Sequence, residues 1–481
     1  MPLDQIDLPY HLDSAPLFEK IHQLPGAVFL DSCAQRNKQG RYDILTALPY
    51  LQLESYPHHS FIHSQGKTEK SQQAPFDILK ALFTEESKKH NNEELDKLPF
   101  SGGAIGTFSY ELHHASLLKS AANSDKAQMS VGFYDVFIIV DHQTQRCTAY
   151  SIGNDAVEKL QELLETLKQP APVGFFSLKN PFKKHLALQR YNKDFASIQE
   201  LILSGDCYQI NYTQRFETHY SGDPWFAYKK LRQSSPAPFS AYINSRDSIV
   251  LCHSPEQFLE LQKNLITSKP IKGTRARKTD TEADEQQKAE LIKSEKDRAE
   301  NVMIVDLLRN DISRNAKIGS VKVPTLFNLE SYANVHHLVS TITATLATKS
   351  HAIDLFRDSF PGGSITGAPK IRAMEIINEL EATERRIYCG SIAYFSFNGK
   401  LDSNITIRSL LCEQVNNEGE TGNIYCWGGG GIVADSTVEE EYQESIDKIA
   451  NLLQTLEQEF AEDSSRLLKF ADLSQTQGKI K

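Results

Sequence analysis

The sequence predicts an α+β fold with large antiparallel sheets. Three observations lead there: strand-like segments outnumber helical ones, the two kinds interleave, and no regular strand-helix-strand alternation of the sort that builds a parallel sheet occurs. In the N-terminal part, AVFLDS, RYDILTAL, GGAIGTFSYEL, VGFYDVFIIVDH and CTAYSIG read as strands from their β-branched and aromatic content. Helices are expected at DILKALF and AVEKLQELLETL. The stretch QPAPVGFFSLKNPFKKH, with three prolines and a glycine, interrupts the periodic segments, so a linker is expected over 169–185, after an N-terminal region 1–168.

Beyond it, Phe195, Ile198, Leu201 and Ile202 recur at helical spacing until Gly205, a suitable stop. YQINYTQRFE alternates as a strand, and 284–314 carries one long helical pattern. SIVLCHS, NLITS, CGSIAYFSF, NITIRSLLCEQ and NIYCWGGGGIVA read as further strands. A last helix is expected from about Ser436, which has capping-box spacing to Glu439, to about Phe460. The main domain is placed at 186–455 and a loosely held tail at 456–481.

Composition narrows the function classes. The 481 residues carry a formal net charge of -10 and offer no basic surface for nucleic acid. The N-terminus does not read as a secretory signal, and no apolar run is long enough for a membrane span. Seven scattered cysteines without CxxC spacing indicate neither a disulfide framework nor a zinc site, so the cytoplasm is the expected compartment.

Several constellations can carry chemistry. Glu300 precedes Met303, Ile304, Leu307 and Leu308 on one helix face; a carboxylate there must be paired, protonated or metal-bound, since an isolated buried charge is too costly. An ion pair with a nearby cation is the simpler reading. Glu441, Glu444 and Lys448 are spaced as a solvated helix face with an i,i+4 pair, although carboxylates from two helices would also suit Mg²⁺. PGGSITGAPK (361–370) lacks the Lys and Ser or Thr of a phosphate loop, so ATP binding is not supported; it reads as a tight turn into a helix or as an anion-binding entry. WGGGGIVADS (427–436) reads as a crowded strand end or as backbone brought close to a ligand. In KPIKGTRAR (269–277) a turn is expected around Lys272, which is either solvated or directed inward, where desolvation makes a lysine a nucleophile.

Taken together, GDCYQIN, HSPEQF, PIKGTRAR, KDRAENVMIVDLLRNDISR, HHLVS, FPGGSITGAPKIRAMEII, YCGSIAY, ITIRS and GGGGIVADS followed by EEEYQES resemble the chorismate-utilising enzymes over about 189–450. LDSCAQRNKQGRYDILTALP (30–49) resembles, more loosely, the N-terminal part of the amidating members. The resemblance implies two large, mostly antiparallel sheets forming a sandwich flanked by helices, with the active site in a cleft. Within the family, PIKGT is similar to the aminodeoxychorismate synthase branch, whereas anthranilate synthases typically have alanine in place of Lys272. Members that use water generally carry a lysine in place of Gln209, so ammonia is the nucleophile implied here.

The implied roles follow residue by residue. Lys272 would attack C2 of chorismate and Glu256 would protonate the departing C4 hydroxyl; ammonia would then displace the lysine from C4, giving 4-amino-4-deoxychorismate for p-aminobenzoate and folate. Glu300, Glu441 and Glu444 would hold Mg²⁺ on the ring carboxylate. Thr274, His337 and Thr366 would line the ring site, while Tyr388, Arg408 and Lys448, with backbone N–H near Gly429 and Gly430, would hold the enolpyruvyl carboxylate. No GxCxGHQ segment is present, so a separate glutamine amidotransferase subunit is implied as the ammonia source. Ser32 marks a site where some relatives hold tryptophan. The alternatives are an anthranilate synthase large subunit, an isochorismate-type synthase, or a non-catalytic chorismate-binding homologue.

Overall fold

The computed structural model describes residues 3–33, 40–89, 93–113, 124–153, 155–331, 335–414 and 421–462. Two antiparallel sheets, of thirteen and twelve strands among the described residues, organise the chain. Both mix N-terminal and C-terminal strands. In the first, Val28–Asp31 pairs with Phe239–Asn244; in the second, Gly103–Phe108 pairs with Ser391–Ser396. The segment 169–185, expected as a linker, contributes the short strands Phe176–Leu178 and Lys183–Lys184 to the first sheet. Of the expected tail, 463–481 lies outside the described residues.

The sheets share one apolar core. Phe100 joins them, its ring 5.2 Å from Phe137 of the first sheet and 5.6 Å from Tyr394 of the second. Burial of such aromatic area is the main stabilising term in a fold of this kind, at roughly 25 cal/mol per Å².

Two helical expectations are corrected. The long pattern over 284–314 is two helices, Thr281–Lys293 and Glu295–Ser313, because Ser294 leaves helical geometry and its side chain caps the second by accepting from the Asp297 N–H. The last helix is Val438–Phe460 with Thr437 at its N-cap position; Ser436 instead donates its hydroxyl to Glu441 at 2.6 Å. That helix accounts for two glycines of the run, Gly428 and Gly430, while Gly429 and Gly431 are crowded by Thr213 and Gln209 of the neighbouring strand. A Cβ on Gly428 would stand 2.0 Å from the Ser445 carbonyl oxygen, and one on Gly430 would stand 2.7 Å from Glu441 Oε2. The strand Thr421–Ile432 must therefore be bare where the helix crosses it.

The chain changes sheets twice at one place. It leaves the first sheet at Ser254 and enters the second at Gln257; it returns from Asn404 of the second to Ser409 of the first. The two crossovers run side by side, joined by Ile405 N–H to the Glu256 carbonyl at 3.1 Å and His253 N–H to the Arg408 carbonyl at 3.2 Å. Each carries one candidate site residue, Glu256 and Arg408.

Candidate active site

Beside these crossovers lies a cleft of about 720 Å³. Glu256, Lys272, Thr274, Glu300, His337 and Tyr388 line it. So do Arg408, Gly429, Glu441, Glu444 and Lys448, from the second crossover, the glycine run and the last helix.

Lys272 lies not in a turn but in the strand Ile271–Ala276, paired with Val335–Thr345. The register slips by one residue between Ile271↔Val339 and Thr274↔His337, so Lys272 and Gly273 form a bulge, which re-aims a side chain. Gly273 has φ +83, and a Cβ there would stand 2.8 Å from Leu291 and 3.0 Å from Asp297; glycine is required on both counts. The Lys272 side chain is 15% exposed, with Nζ 3.6 Å from Glu300 Oε2.

Glu256 is buried and accepts a hydrogen bond from Ser364 Oγ at 3.0 Å. Burial raises its pKa to about 7, against the opposing effects of Ser364, Lys272 and Lys448, so the carboxyl retains a proton near neutrality. His337 is pushed down to about 4, by burial and then by Arg408; its neutral ring has Nδ1 2.9 Å from Thr274 Oγ1. Burial lowers Arg408 as well, with Glu256 opposing.

Each of the three proposed metal carboxylates faces a lysine. Glu300 faces Lys272, Glu441 has Lys296 at 3.8 Å, and Glu444 has Lys448 at 2.7 Å. Among the described residues no group of three His, Cys, Asp or Glu side chains converges as a ready-made metal cluster. The donor set nevertheless fits a hard cation. Glu441 Oε2 is buried without a hydrogen-bond partner among the described residues, and burial together with the Glu444 charge raises the Glu441 pKa. Burial, the largest single effect, acts to raise Glu444, but Lys448, Lys272 and Lys296 together lower it and the net shift is downward.

The strand Thr421–Ile432 pairs with Gln209–Gly222 over its whole length but with Ser409–Gln414 only from Gly422 to Cys426. From Trp427 onward one backbone edge has no strand neighbour among the described residues, so peptide groups face the cleft side; Lys448 donates to the Gly429 carbonyl there at 2.9 Å.

Four expected residues lie elsewhere. Gln209 is buried behind Gly431, where a Cβ would stand 2.1 Å from its Nε2. Thr366 is buried and donates to the Gly362 and Gly363 carbonyls, while Ser364 and Ile365 line the cleft instead. Gly430 packs under Glu441 rather than lining the cleft. Ser32 lines a separate cavity of about 400 Å³, its hydroxyl donating to Asp43 at 2.7 Å. Sequence reasoning missed Ser364 and Lys296, though both stand inside motifs it had singled out, because the burial of their partners Glu256 and Glu441 is set by tertiary packing.

A family model described as chorismate binding enzyme matches residues 29–454. The chain is 44% identical over 457 residues to an aminodeoxychorismate synthase component 1 of Salmonella typhimurium, covering 94% of this chain and 98% of that one. It is 32% identical to an anthranilate synthase component 1 of Acetivibrio thermocellus, covering 92% of each. The crystal structure of anthranilate synthase component I from Streptococcus pneumoniae superposes with a TM-score of 0.72 at 29% identity, covering 87% of this chain and 93% of that one.

Proposed function

From the premise that the chain belongs to the chorismate binding enzymes, we propose that it is an aminodeoxychorismate synthase component 1, converting chorismate and ammonia to 4-amino-4-deoxychorismate. The observation that carries the reading is the bulge that turns Lys272 toward the cleft shared with the buried Glu256 carboxyl.

The residues then have these tasks. Arg408, Lys448 and the open backbone edge at Gly429 hold the enolpyruvyl carboxylate, with Tyr388 packed beside them. His337, held neutral, and Thr274 border the ring. Lys272 adds to C2; the C1=C2 pair moves to C1=C6, the C5=C6 pair moves to C4=C5, and the C4–O bond breaks as Glu256 supplies the proton that releases water. Ammonia then bonds to C4, the electrons return, and the bond from C2 to Lys272 breaks. Two displacements through the conjugated system leave nitrogen at C4. Glu300, Glu441 and Glu444 are the residues that would hold Mg²⁺, which when bound supplies charge to anchor and polarise the ring carboxylate. Gln209, standing behind Gly431 with a non-basic amide in place of an amine, supplies no base for water.

We further propose a glutamine amidotransferase subunit as ammonia source, a cytoplasmic location, and tryptophan as a ligand of the cavity around Ser32. No helix among the described residues is long and apolar enough to cross a membrane. The test is to incubate the chain with chorismate, Mg²⁺ and an ammonium salt and identify the product by chromatography and mass spectrometry. A 4-amino product supports the reading; anthranilate transfers the chain to the other amidating branch, and unchanged chorismate favours a binding role.

A further inference from the structure

The motif PGGSITGAPK (361–370) has no task so far in the reaction. Ser364 and Ile365 are its residues that line the cleft. Gly367 and Ala368 instead form a short strand paired with Ile210 and Gln209. The turn Gly363–Ile365 is braced on three sides. A Cβ on Gly362 would stand 2.7 Å from Ile405 of the second crossover, and one on Gly363 would run into Leu307 of the helix Glu295–Ser313, so both glycines let the turn press against its neighbours. On the third side Arg385, 1% exposed, donates to the Ile365 carbonyl at 3.0 Å and to the Asn211 carbonyl at 2.5 Å, while the Glu381 carboxylate holds its guanidinium at 2.7 and 2.9 Å.

What the braced turn presents is Ser364. Its side chain is buried, and its hydroxyl donates to Glu256 Oε1 at 3.0 Å. The Glu256 backbone is fixed separately, its N–H donating to Ser254 Oγ at 3.2 Å and its carbonyl accepting from Ile405 at 3.1 Å. A carboxyl held at both ends is preorganised for one orientation. A donor beside it counts most when the acid gives up its proton, because negative charge then develops in a buried site. Resting on the reading of Glu256 as the acid at C4, we propose that Ser364 is a positioning residue for that proton transfer: its hydroxyl fixes Oε1, so that Oε2 carries the proton to the leaving oxygen, and it stays bonded to the carboxylate that the transfer leaves. The Glu256 O–H bond breaks as an O–H bond forms on the C4 oxygen, water departs with the electron pair of the C4–O bond, and Ser364 keeps its own proton.

The test is the pH profile of kcat/KM for chorismate, measured on the full chain with Mg²⁺ at one saturating concentration of free ammonia. The charged and titratable groups facing Glu256 are Lys272 of its strand, Lys448 of the last helix, Arg408 of the second crossover and the Cys389 thiol, with the Ile271 N–H a further donor. Ser364→Ala leaves all of them in place. It removes a donor that favours the ionised carboxyl, so the break near pH 7 that reports Glu256 is expected to move up by about one unit, with the plateau rate lower by about tenfold and KM for chorismate within about twofold. Ser364→Thr, which keeps the hydroxyl, is expected to return the break to its wild-type position. An unmoved break in folded Ser364→Ala overturns the proposal, because a merely structural role lowers the rate equally at every pH. Thermal melting checks folding, and should the threonine variant not fold, Ser364→Ala decides alone. A wild-type chain that converts no chorismate removes the functional reading and this inference together, whereas conversion with an unmoved break in Ser364→Ala removes only the inference.

Discussion

The cleft and the cavity around Ser32 each hold a carboxyl whose pKa is raised to about 7, the buried Glu256 in the first and the half-buried Asp402 in the second. Burial is the leading cause in both. The company differs: Glu256 is opposed by Lys272 and Lys448, whereas Asp402 has Glu260 beside it, another carboxylate that pushes it higher, and accepts from Gln257 at 2.9 Å. A raised pKa by itself therefore does not single out Glu256; the cations that face it in an open cleft distinguish it from Asp402.

Substitutions can break or sharpen that contrast. The largest effect is expected from Glu256→Gln, which keeps shape and neutrality but cannot give up a proton: turnover falls by about 10²–10⁴, with chorismate binding retained by equilibrium titration. Lys272→Ala is expected to lower 4-amination by about a hundredfold or more and to expose addition at C2, read by product chromatography. Glu441→Gln should raise the Mg²⁺ concentration needed for half-maximal rate by about 10–100-fold, measured in a metal titration.

The smallest expected effect lies in the other cavity. Asp402→Asn should leave turnover unchanged and stabilise the fold at pH 8 by about 1–3 kcal/mol, read from chemical denaturation. The sign follows from the raised pKa. The native carboxyl binds its proton more tightly than the unfolded one, so wild-type stability falls as pH climbs from about 4, the ordinary aspartate value, through about 7; the variant's advantage is absent at pH 4 and complete above 7. Were Asp402→Asn to remove activity and Glu256→Gln to spare it, the assignment of the two regions would be reversed.

Much of this was legible in the residues, and the remainder failed for physical reasons. The antiparallel architecture and most catalytic candidates followed from strand patterning and from motifs, because local propensity and tertiary structure agree there. The bulge at Lys272 did not: Pro270 and Gly273 read as turn residues, and only pairing with Val335–Thr345 makes the same dihedrals a strand irregularity. The cap at Ser294 was hidden inside a periodic helix pattern. Arg408, expected within a strand, sits at φ +50 in the crossover before Ser409, a conformation that long-range pairing imposes. The glycine run left two readings open, and the answer depended on packing that no local pattern shows: the last helix covers Gly428 and Gly430, while Gln209, far away in the chain, stands against Gly431.

The central claim is that Lys272 bonds to chorismate. The direct measurement is to mix the protein with chorismate and Mg²⁺ in the absence of ammonia, quench in acid, digest, and map the mass of the peptide that contains Lys272. The account predicts that peptide heavier by chorismate less one water, and unmodified in a Lys272→Arg variant. An unmodified peptide, from a preparation that makes the 4-amino product once ammonium is added, would contradict it.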